Sequence, residues 1–591
     1  MRSADDRQPH LHEPAVHPQP GSRWRWLPVD GSWRYHLLLA FTGMLVLGPL
    51  AGVTAAYMNF SLGFFVGGQV FAGLLGSVVT AGYGAAGRHG ANYIQTAAAS
   101  VASMSGLGVL LQAMAWMGLP QPPAWQMVLY LACVGMLGVG VGMLYTPVLV
   151  DRMRLVYPSG LAVANILRAL TDTRLLRRSV RQLGSGIAAG LVAGLAASRL
   201  PLLGAIELSA STFGAGLVIG ARIGIPAVVG GLISVALRPY FVAIGWLQAG
   251  DPPRKVMFLV ALGTIMGAAL VDLALIFARA LPHARRQAAR EVQQPAVDDW
   301  RRVNSTRLVL WVLFWAAATV ACGHALLGQP VFYLVVAVAL VFLFALVNGI
   351  SVGISDSNPI SSAFVVTVVI LAALGLRDPG VGLMAGAVLL VATSVACDMQ
   401  QDRSTGWRLG TPRVPQFRYQ VLGIAVGAVL AVVFARLFMA AYPVLLQDQT
   451  LLKADQQPAA WSSAMTYKFV GVLRSLTNDQ PHQRTAIGVG IAAGLAIEVL
   501  RKWLRPRSFV LDAIVLPSPY ALSFGGFVNL PTALWLGAGG VAGSLLTARA
   551  PVQRDLPQDM SSASLFGGGL IAGDALAAVA TGIASLLAVL A

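Results

Sequence analysis

Charge is scarce in this sequence. Only 11% of its 591 residues are Asp, Glu, Lys or Arg, against 56% hydrophobic, whereas a soluble domain carries about 25% charged residues. So large an apolar surplus cannot be enclosed in one soluble core, and it is spread along the chain rather than gathered into a single anchor. Acid is scarcer than base: 24 Asp and Glu stand against 41 Lys and Arg, a formal net charge of +17. In a soluble protein that excess suggests nucleic acid as a partner. Here the arginines gather at the ends of apolar runs, as the positive-inside rule describes for cytoplasmic loops, and aromatics do not interleave with them as single-strand binding requires. No nucleic-acid partner is expected.

Cysteine is nearly missing. Cys133, Cys322 and Cys397 sit within or beside apolar runs at no metal-ligand spacing, which excludes a disulfide framework and reads as small buried hydrophobes. No P-loop occurs, and no His-Glu-x-x-His lies in a span. The nearest approach, His12-Glu13 followed by His17, is one residue off that spacing. It stands among Pro9, Pro14, Pro18 and Pro20, which oppose a helix. The expectation is no catalytic residue, no metal site, no enzyme and no bound cofactor. Residues 1–35 have no apolar stretch to act as a cleavable signal. They read as a disordered tail, placed in the cytoplasm by Arg2, Arg7, Arg23, Arg25 and Arg34.

What the chain does have is apolar runs of some 20 residues, recurring from His36 to the end. Each is long enough to cross a bilayer as a helix. They are continuous rather than alternating, which argues against a β-barrel. The fold class expected is all-α, a polytopic helical membrane protein of about 14–16 membrane segments. It divides into two pseudo-repeated halves, 36–281 and 308–591, with broken or re-entrant helices. The linker at 282–307 carries Arg285, Arg286, Arg290, Arg301 and Arg302, which reads as cytoplasmic, and a polar insertion lies near 443–483. Asn92 and Asn358 each open a polar-then-apolar run. Thr146-Pro147 and Thr411-Pro412 follow them at similar offsets, and FGAGLVIGAR at 213–222 is echoed by FGGGLIAGDA at 566–575. Duplicated halves with interrupted polar helices point to a central site.

One stretch organises the rest. Residues 397–416, CDMQQDRSTGWRLGTPRVPQ, interrupt two membrane-length apolar runs with carboxylates, glutamines, arginines and two prolines. A polar insert there either hangs in water or lines a cavity inside the bundle. Intramembrane carboxylates are functional candidates by default, so Asp398, Asp402 and Asp574 are the candidates for proton coupling. The alternative for Asp398 and Asp402 is helix capping or pairing with arginine in a wet loop.

The same stretch resembles a signature of the oligopeptide transporter family, which includes the yellow-stripe-like carriers. That pattern runs close to N-D-x-x-Q-D-L-K-T-G-x-x-x-G-A-T-P-x-x-Q-Q. Asp398, Gln401, Asp402, Thr405, Gly406, Gly410, Thr411, Pro412 and Gln416 fit it. Ser404 stands where the pattern has Lys, and one residue is missing before Thr411. Further motifs agree. GANYIQTAAASVASM at 90–104 matches at Asn92, Gln95 and Thr96, with Ala102 in place of a Glu. YPSGLAVANIL at 157–167 matches at Ser159, with Asn165 in place of another Glu. GISVGISDSNPISS at 349–362 matches around Asn358, and LPSPYAL at 516–522 carries Ser518 in place of an Asp. GLIAGDAL at 569–576 keeps the family's acid as Asp574.

The resemblance, to a bacterial-type member, implies a secondary active carrier of oligopeptides or related peptide-like or metal-chelate substrates. It would work by alternating access across the cytoplasmic membrane and be driven by an ion gradient, the proton gradient first. It implies Asn92, Gln95, Thr96, Ser159, Asn165, Asn358, Gln401 and Thr411 as substrate-binding residues. Partners are then the bilayer and a small peptide-like solute; a homo-oligomer is left open. Two other classes compete. A membrane-embedded hydrolase of the aspartyl type would want G-x-G-D, and Gly573-Asp574 lacks the first glycine. A passive facilitator would favour repeated subunits or filter rings.

Overall fold

The computed structural model describes residues 27–63, 68–155, 157–169, 172–200, 207–288, 299–355, 360–458, 461–477, 481–504, 509–549 and 561–590. Residues 1–26, most of the expected tail, and Asn358 lie outside these. Among the described residues all regular structure is helical. Twelve stretches are long and apolar enough to cross a membrane, and two shorter apolar helices join them, together the lower end of the expected range. The protein is a multi-pass helical membrane protein.

The first span begins at α1 (Trp33–Phe41), where Ser32 accepts from Tyr35 N at 3.2 Å. It continues through a π-turn into α2 (Gly48–Ser61). Next, α3 (Gly68–Thr80) and α4 (Gly87–Gly106) form a tight hairpin that turns at Gly84, φ +59°, a backbone region that glycine enters without strain. α5 (Val109–Trp116) extends α4. Then come α6 (Ala124–Thr146), α7 (Pro158–Ala169), α8 (Thr173–Arg199), α9 (Ala210–Ile219), α10 (Ala221–Ala243) and α11 (Arg254–Ala288). The later part of the chain supplies α12 (Ser305–Leu327), α13 (Val331–Ser355), α14 (Ile360–Ala373), α15 (Pro379–Leu409) and α16 (Arg413–Ala441). It ends with α17 (Ala464–Thr477), α18 (Pro481–Leu504), α19 (Pro519–Phe527), α20 (Leu530–Arg549) and α21 (Ser562–Leu590).

Early and late helices interleave. α4 runs parallel to α2, with Gly43, Gly48 and Gly52 against Ala97, Val101 and Ser105. It runs parallel to α16 as well: a Cβ on Gly423 would lie 2.6 Å from Ala97 O. α6 runs parallel to α15, where Tyr130 Oη donates to Met384 O at 3.0 Å. α4 and α15 then cross antiparallel, Gln95 meeting Asp402 and Ser103 meeting Asp398. In hydrocarbon there is no hydrophobic force between helices, so close backbone approach at small residues holds them. Two parallel seams show this. Gly186 and Gly190 of α8 press on Gly569 and Gly573 of α21, and Gly263 and Gly267 of α11 press on Gly490 and Gly494 of α18. Both seams use the same hexapeptide, GIAAGL, at 186–191 and 490–495.

The sequence echoes between the halves fare differently. Residues 213–222 break at Gly220, φ +77°, between α9 and α10, whereas 566–575 run unbroken inside α21. The two segments pack on each other, Gly214 against Gly567. Thr146, bonding back to Gly142 O, lies inside the continuous span Ala124–Arg152, where the α-helix passes into a π-turn at Pro147, while Thr411 sits in a turn. The glycine pairs of the two seams are alike in spacing and in contact.

The polar insertion begins as a strap over 443–458 and 461–463, and its later part is helix, α17 and the start of α18. The strap closes the end of the bundle opposite to the start of α1. Gln112 Nε2 donates to Leu445 O and to Ser463 Oγ, both at 2.9 Å, and Trp116 Nε1 donates to Leu445 O at 2.8 Å. Arg254, 5% exposed, donates to Gln449 Oε1 at 2.8 Å and to Ser462 O at 3.3 Å, with its guanidinium over the Tyr467 ring. Arg254→Met therefore releases one flank of the strap. The expected cost is about 1–3 kcal/mol of local stability. Amide exchange over 443–463 should accelerate at least several-fold; unchanged exchange would show that the other contacts, among them Gln112, Trp116 and the Arg474–Asp448 ion pair, hold the strap without Arg254.

Candidate functional site

The polar stretch does not hang free. Residues 397–409 are the last turns of α15, which continues past the apolar part because no proline or left-handed residue stops it. Asp378 caps its start, accepting from Gly380 N at 2.7 Å, and Gly410 ends it in the left-handed conformation, φ +69°. Thr411 N then donates to Gly406 O at 2.8 Å, and Pro412 leads into α16. Asp402 lies seven residues before the end of α15, about 10 Å along the axis at 1.5 Å per residue.

Gln401, Asp402, Arg403, Ser404 and Thr405 are all buried, so the helix is enclosed around its whole circumference while polar. Each side meets a different partner. Toward α4, Gln95 Nε2 donates to Asp402 Oδ1 at 3.0 Å. Toward α16, Gln416 is a hub. Its Nε2 donates to Asp402 O at 2.9 Å and to Thr96 Oγ1 at 3.0 Å, and its Oε1 accepts from Arg403 Nη1 at 2.7 Å. Gly406 makes room for that hub, since a Cβ there would lie 2.7 Å from Gln416 Oε1. Toward α7, Thr405 Oγ1 donates to Gly160 O at 3.0 Å. At the turn, Asn92 Nδ2 donates to Thr411 Oγ1 at 3.2 Å, and His89 Nδ1 lies 3.1 Å from the same hydroxyl. Arg413 forms an ion pair with Asp151, Nη1 to Oδ2 at 2.8 Å.

The fold thus brings Asn92, Gln95, Thr96, Asp402 and Thr411 into one network. Gln401 is buried beside them, its carbonyl facing Gly160. Asp398 stands one turn earlier on α15, hydrogen-bonded with Ser103. Ser159 and Asn165 are half-buried on α7, Ser159 next in sequence to Gly160, whose carbonyl accepts from Thr405. Asp574 lies elsewhere. Its Oδ2 accepts from Ser211 N in the first turn of α9 at 2.9 Å and from Tyr57 Oη at 3.2 Å, so it ties α2, α9 and α21 together. Asn358 is outside the described residues. The residues not foreseen are Arg403, the hub role of Gln416, and His89. Where the related pattern has Lys, Ser404 accepts from Arg408 through its carbonyl at 2.9 Å and through its hydroxyl, so a cation from the next turn covers that place.

Nearly every buried polar atom in a folded protein is bonded. Here Asn92 Oδ1, Gln95 Oε1, Asp402 Oδ2, Arg403 Nη2 and Arg413 Nε are buried and have no partner, and nearby both side-chain polar atoms of Gln420 are in the same condition. Acceptors on two amides and on the carboxylate itself, and donors on two guanidinium groups, are thus left open. That donor set suits a polar organic solute bearing amide, amine or carboxylate groups. Among the described residues no three His, Cys, Asp or Glu side chains come together. Cys133 and Cys322 face each other across α6 and α12, Sγ to Sγ 3.5 Å, away from this network.

Comparison with known proteins agrees in kind. A family model described as OPT oligopeptide transporter protein matches residues 39–196 and 278–585. A protein of Haemophilus influenzae named for oligopeptide transport is 24% identical over 489 residues, 72% of this chain and 76% of that protein. A protein of Oryza sativa subsp. japonica named for metal-nicotianamine transport is 27% identical over 278 residues, 46% of this chain and 38% of that protein.

Proposed function

Since this chain belongs to the oligopeptide transporter family, a family of transporters and not of enzymes, we propose that it is a secondary active carrier of oligopeptides or related peptide-like or metal-chelate solutes. In this reading it is proton-coupled and works by alternating access across the cytoplasmic membrane, with its N-terminus in the cytoplasm. The halves 36–281 and 308–591 form the two sides of the carrier.

The observation that carries the reading is Asp402. It is a carboxylate 1% exposed in the interior of a membrane-length helix, held by Gln95 and backed by Gln416. A charge at such a place is costly, and taking up a proton removes it. A group whose charge changes on protonation biases whichever arrangement of the bundle buries it least expensively. Open acceptors and open donors beside it supply hydrogen-bonding positions for a solute. Two further features support two access states. Helices from the two halves interleave along glycine seams with few interlocking side chains. The strap closes one end of the bundle while the network lies toward the other.

The test is uptake by the full chain in proteoliposomes. Short peptides and metal–nicotianamine chelates are offered with and without an inward proton gradient. Accumulation of at least one class, raised about tenfold or more by the gradient, is expected. Flux indifferent to the gradient would replace the reading by a facilitator, and no flux of either class would overturn it.

A further inference from the structure

We infer that Arg403 is the anion anchor of this site and takes a carboxylate of the transported solute on its open Nη2. The inference rests on the carrier reading and narrows its substrate class.

Arg403 is 1% exposed and among the largest side chains wholly inside the protein. Its donors are unequally used. Nη1 is held by two neutral acceptors, Arg413 O at 2.9 Å and Gln416 Oε1 at 2.7 Å, and Nε meets only the weak acceptor Met399 Sδ at 3.0 Å. Nη2 has no partner. The two bonds at Nη1 fix the plane of the guanidinium, so Nη2 points in one direction rather than sweeping a volume. No carboxylate forms an ion pair with Arg403 among the described residues. Asp402 is its sequence neighbour and turns its Oδ1 to Gln95, its Oδ2 being buried without a partner, and Asp151 is already taken by Arg413. The charged neighbourhood is Asp402 and Arg413, with the Tyr93 phenol beside them.

A buried cation short of hydrogen-bond partners is costly, and a guanidinium is the side chain whose fork best fits a carboxylate. A lysine, a point charge on a flexible stem, would not present a fixed open donor there. The open acceptors Asn92 Oδ1 and Gln95 Oε1, with Asp402 between them in the same network, suit the donating end of the same solute. The arrangement selects for solutes that carry a free carboxylate.

The test uses paired competitors against wild-type flux in proteoliposomes. A dipeptide is compared with its C-terminal amide; if the chelate is the carried class, the metal–nicotianamine chelate is compared with its methyl ester. Chloride and inorganic phosphate are tested as further competitors. In the wild type the free carboxylate should compete about tenfold better than its neutral partner. Arg403→Gln should bring the two within about twofold, and Arg403→Lys should restore part of the difference, which a merely structural role would not do. A wild type without preference for the carboxylate sinks the inference and leaves the carrier reading standing, whatever the folding of the variants. So does an Arg403→Gln protein that keeps the preference. Phosphate or chloride competing as well as the carboxylate would assign Nη2 to an inorganic anion and overturn it. Absence of any wild-type flux removes both.

Discussion

Asp402→Asn abolishes gradient-driven accumulation in proteoliposomes while the protein keeps its elution profile and melting temperature within a few degrees: this is the result expected if Asp402 carries the proton. Asparagine has nearly the same shape. Its Oδ1 accepts from Gln95 Nε2 as the carboxylate does at 3.0 Å, and the bond from Gln416 is to the main-chain carbonyl, which is unaltered. What is lost is the ability to change charge. The variant is fixed in the neutral form, so lowering the outside pH no longer changes the balance between arrangements. Accumulation should fall by about 100-fold or more, to background, because a driven cycle without its proton has no drive. Exchange of labelled for unlabelled solute across equal pH should persist, since it needs only the alternation. The sign is specific: a lost hydrogen bond would weaken exchange and accumulation together. Unchanged proton-dependent accumulation would take Asp402 out of the coupling role. Asp398→Asn then becomes the next variant, one turn away and hydrogen-bonded with Ser103.

The second large effect concerns folding. Gly494→Val on α18 places a β-branched side chain where a Cβ alone would overlap the carbonyl oxygen of Thr264 on α11. The obstacle is backbone, so no rotamer change relieves it, and the seam must part along its length. Overpacking of this kind costs about 1–3 kcal/mol in a yielding core, and more than 4 kcal/mol is expected where only main chain can give way. The readout is the fraction of monodisperse protein after extraction, which should fall to a small remnant. Gly190→Val, in the matching seam against Leu570, should do the same. Gly488→Ala and Gly568→Ala are the controls. Nothing lies within 4 Å of a Cβ at either position, and each should be neutral or stabilise by about 0.5–1 kcal/mol through helix propensity. If the seam valine is tolerated as well as the control alanines, close backbone contact is not what joins these helices.

Much of this was legible in the sequence. Apolar runs of membrane length show as twelve long spans, because in lipid a spanning segment has few alternatives to helix. Asn92, Gln95, Thr96, Asp402 and Thr411 stood out because polar groups are conspicuous against hydrocarbon, and the fold places them in one network. Arg403 did not stand out. In a chain with 41 basic residues an arginine near a span end reads as a topology signal, and only the enclosing helices show that this one is internal. The hub role of Gln416 was equally hidden, since it depends on the turn at Gly410 bringing α16 back against α15. The echo between 213–222 and 566–575 is one of sequence, and only the structure shows that one segment breaks at Gly220 and the other does not. Asp574 was foreseen as a carboxylate inside the membrane, and its partners, Ser211 N and Tyr57, lie 363 and 517 residues away in the chain.

The strap has a consequence for speed. On the carrier reading, a solute crossing that face must wait until Gln112, Trp116 and Arg254 release the strap together. Their six side-chain hydrogen bonds to 445–463, at about 1 kcal/mol net each, make the open form roughly one molecule in tens of thousands. Throughput is then set by rare, strongly temperature-dependent openings and not by how fast solute diffuses to the entrance. On the carrier reading, turnover should then stay slow even when solute is abundant.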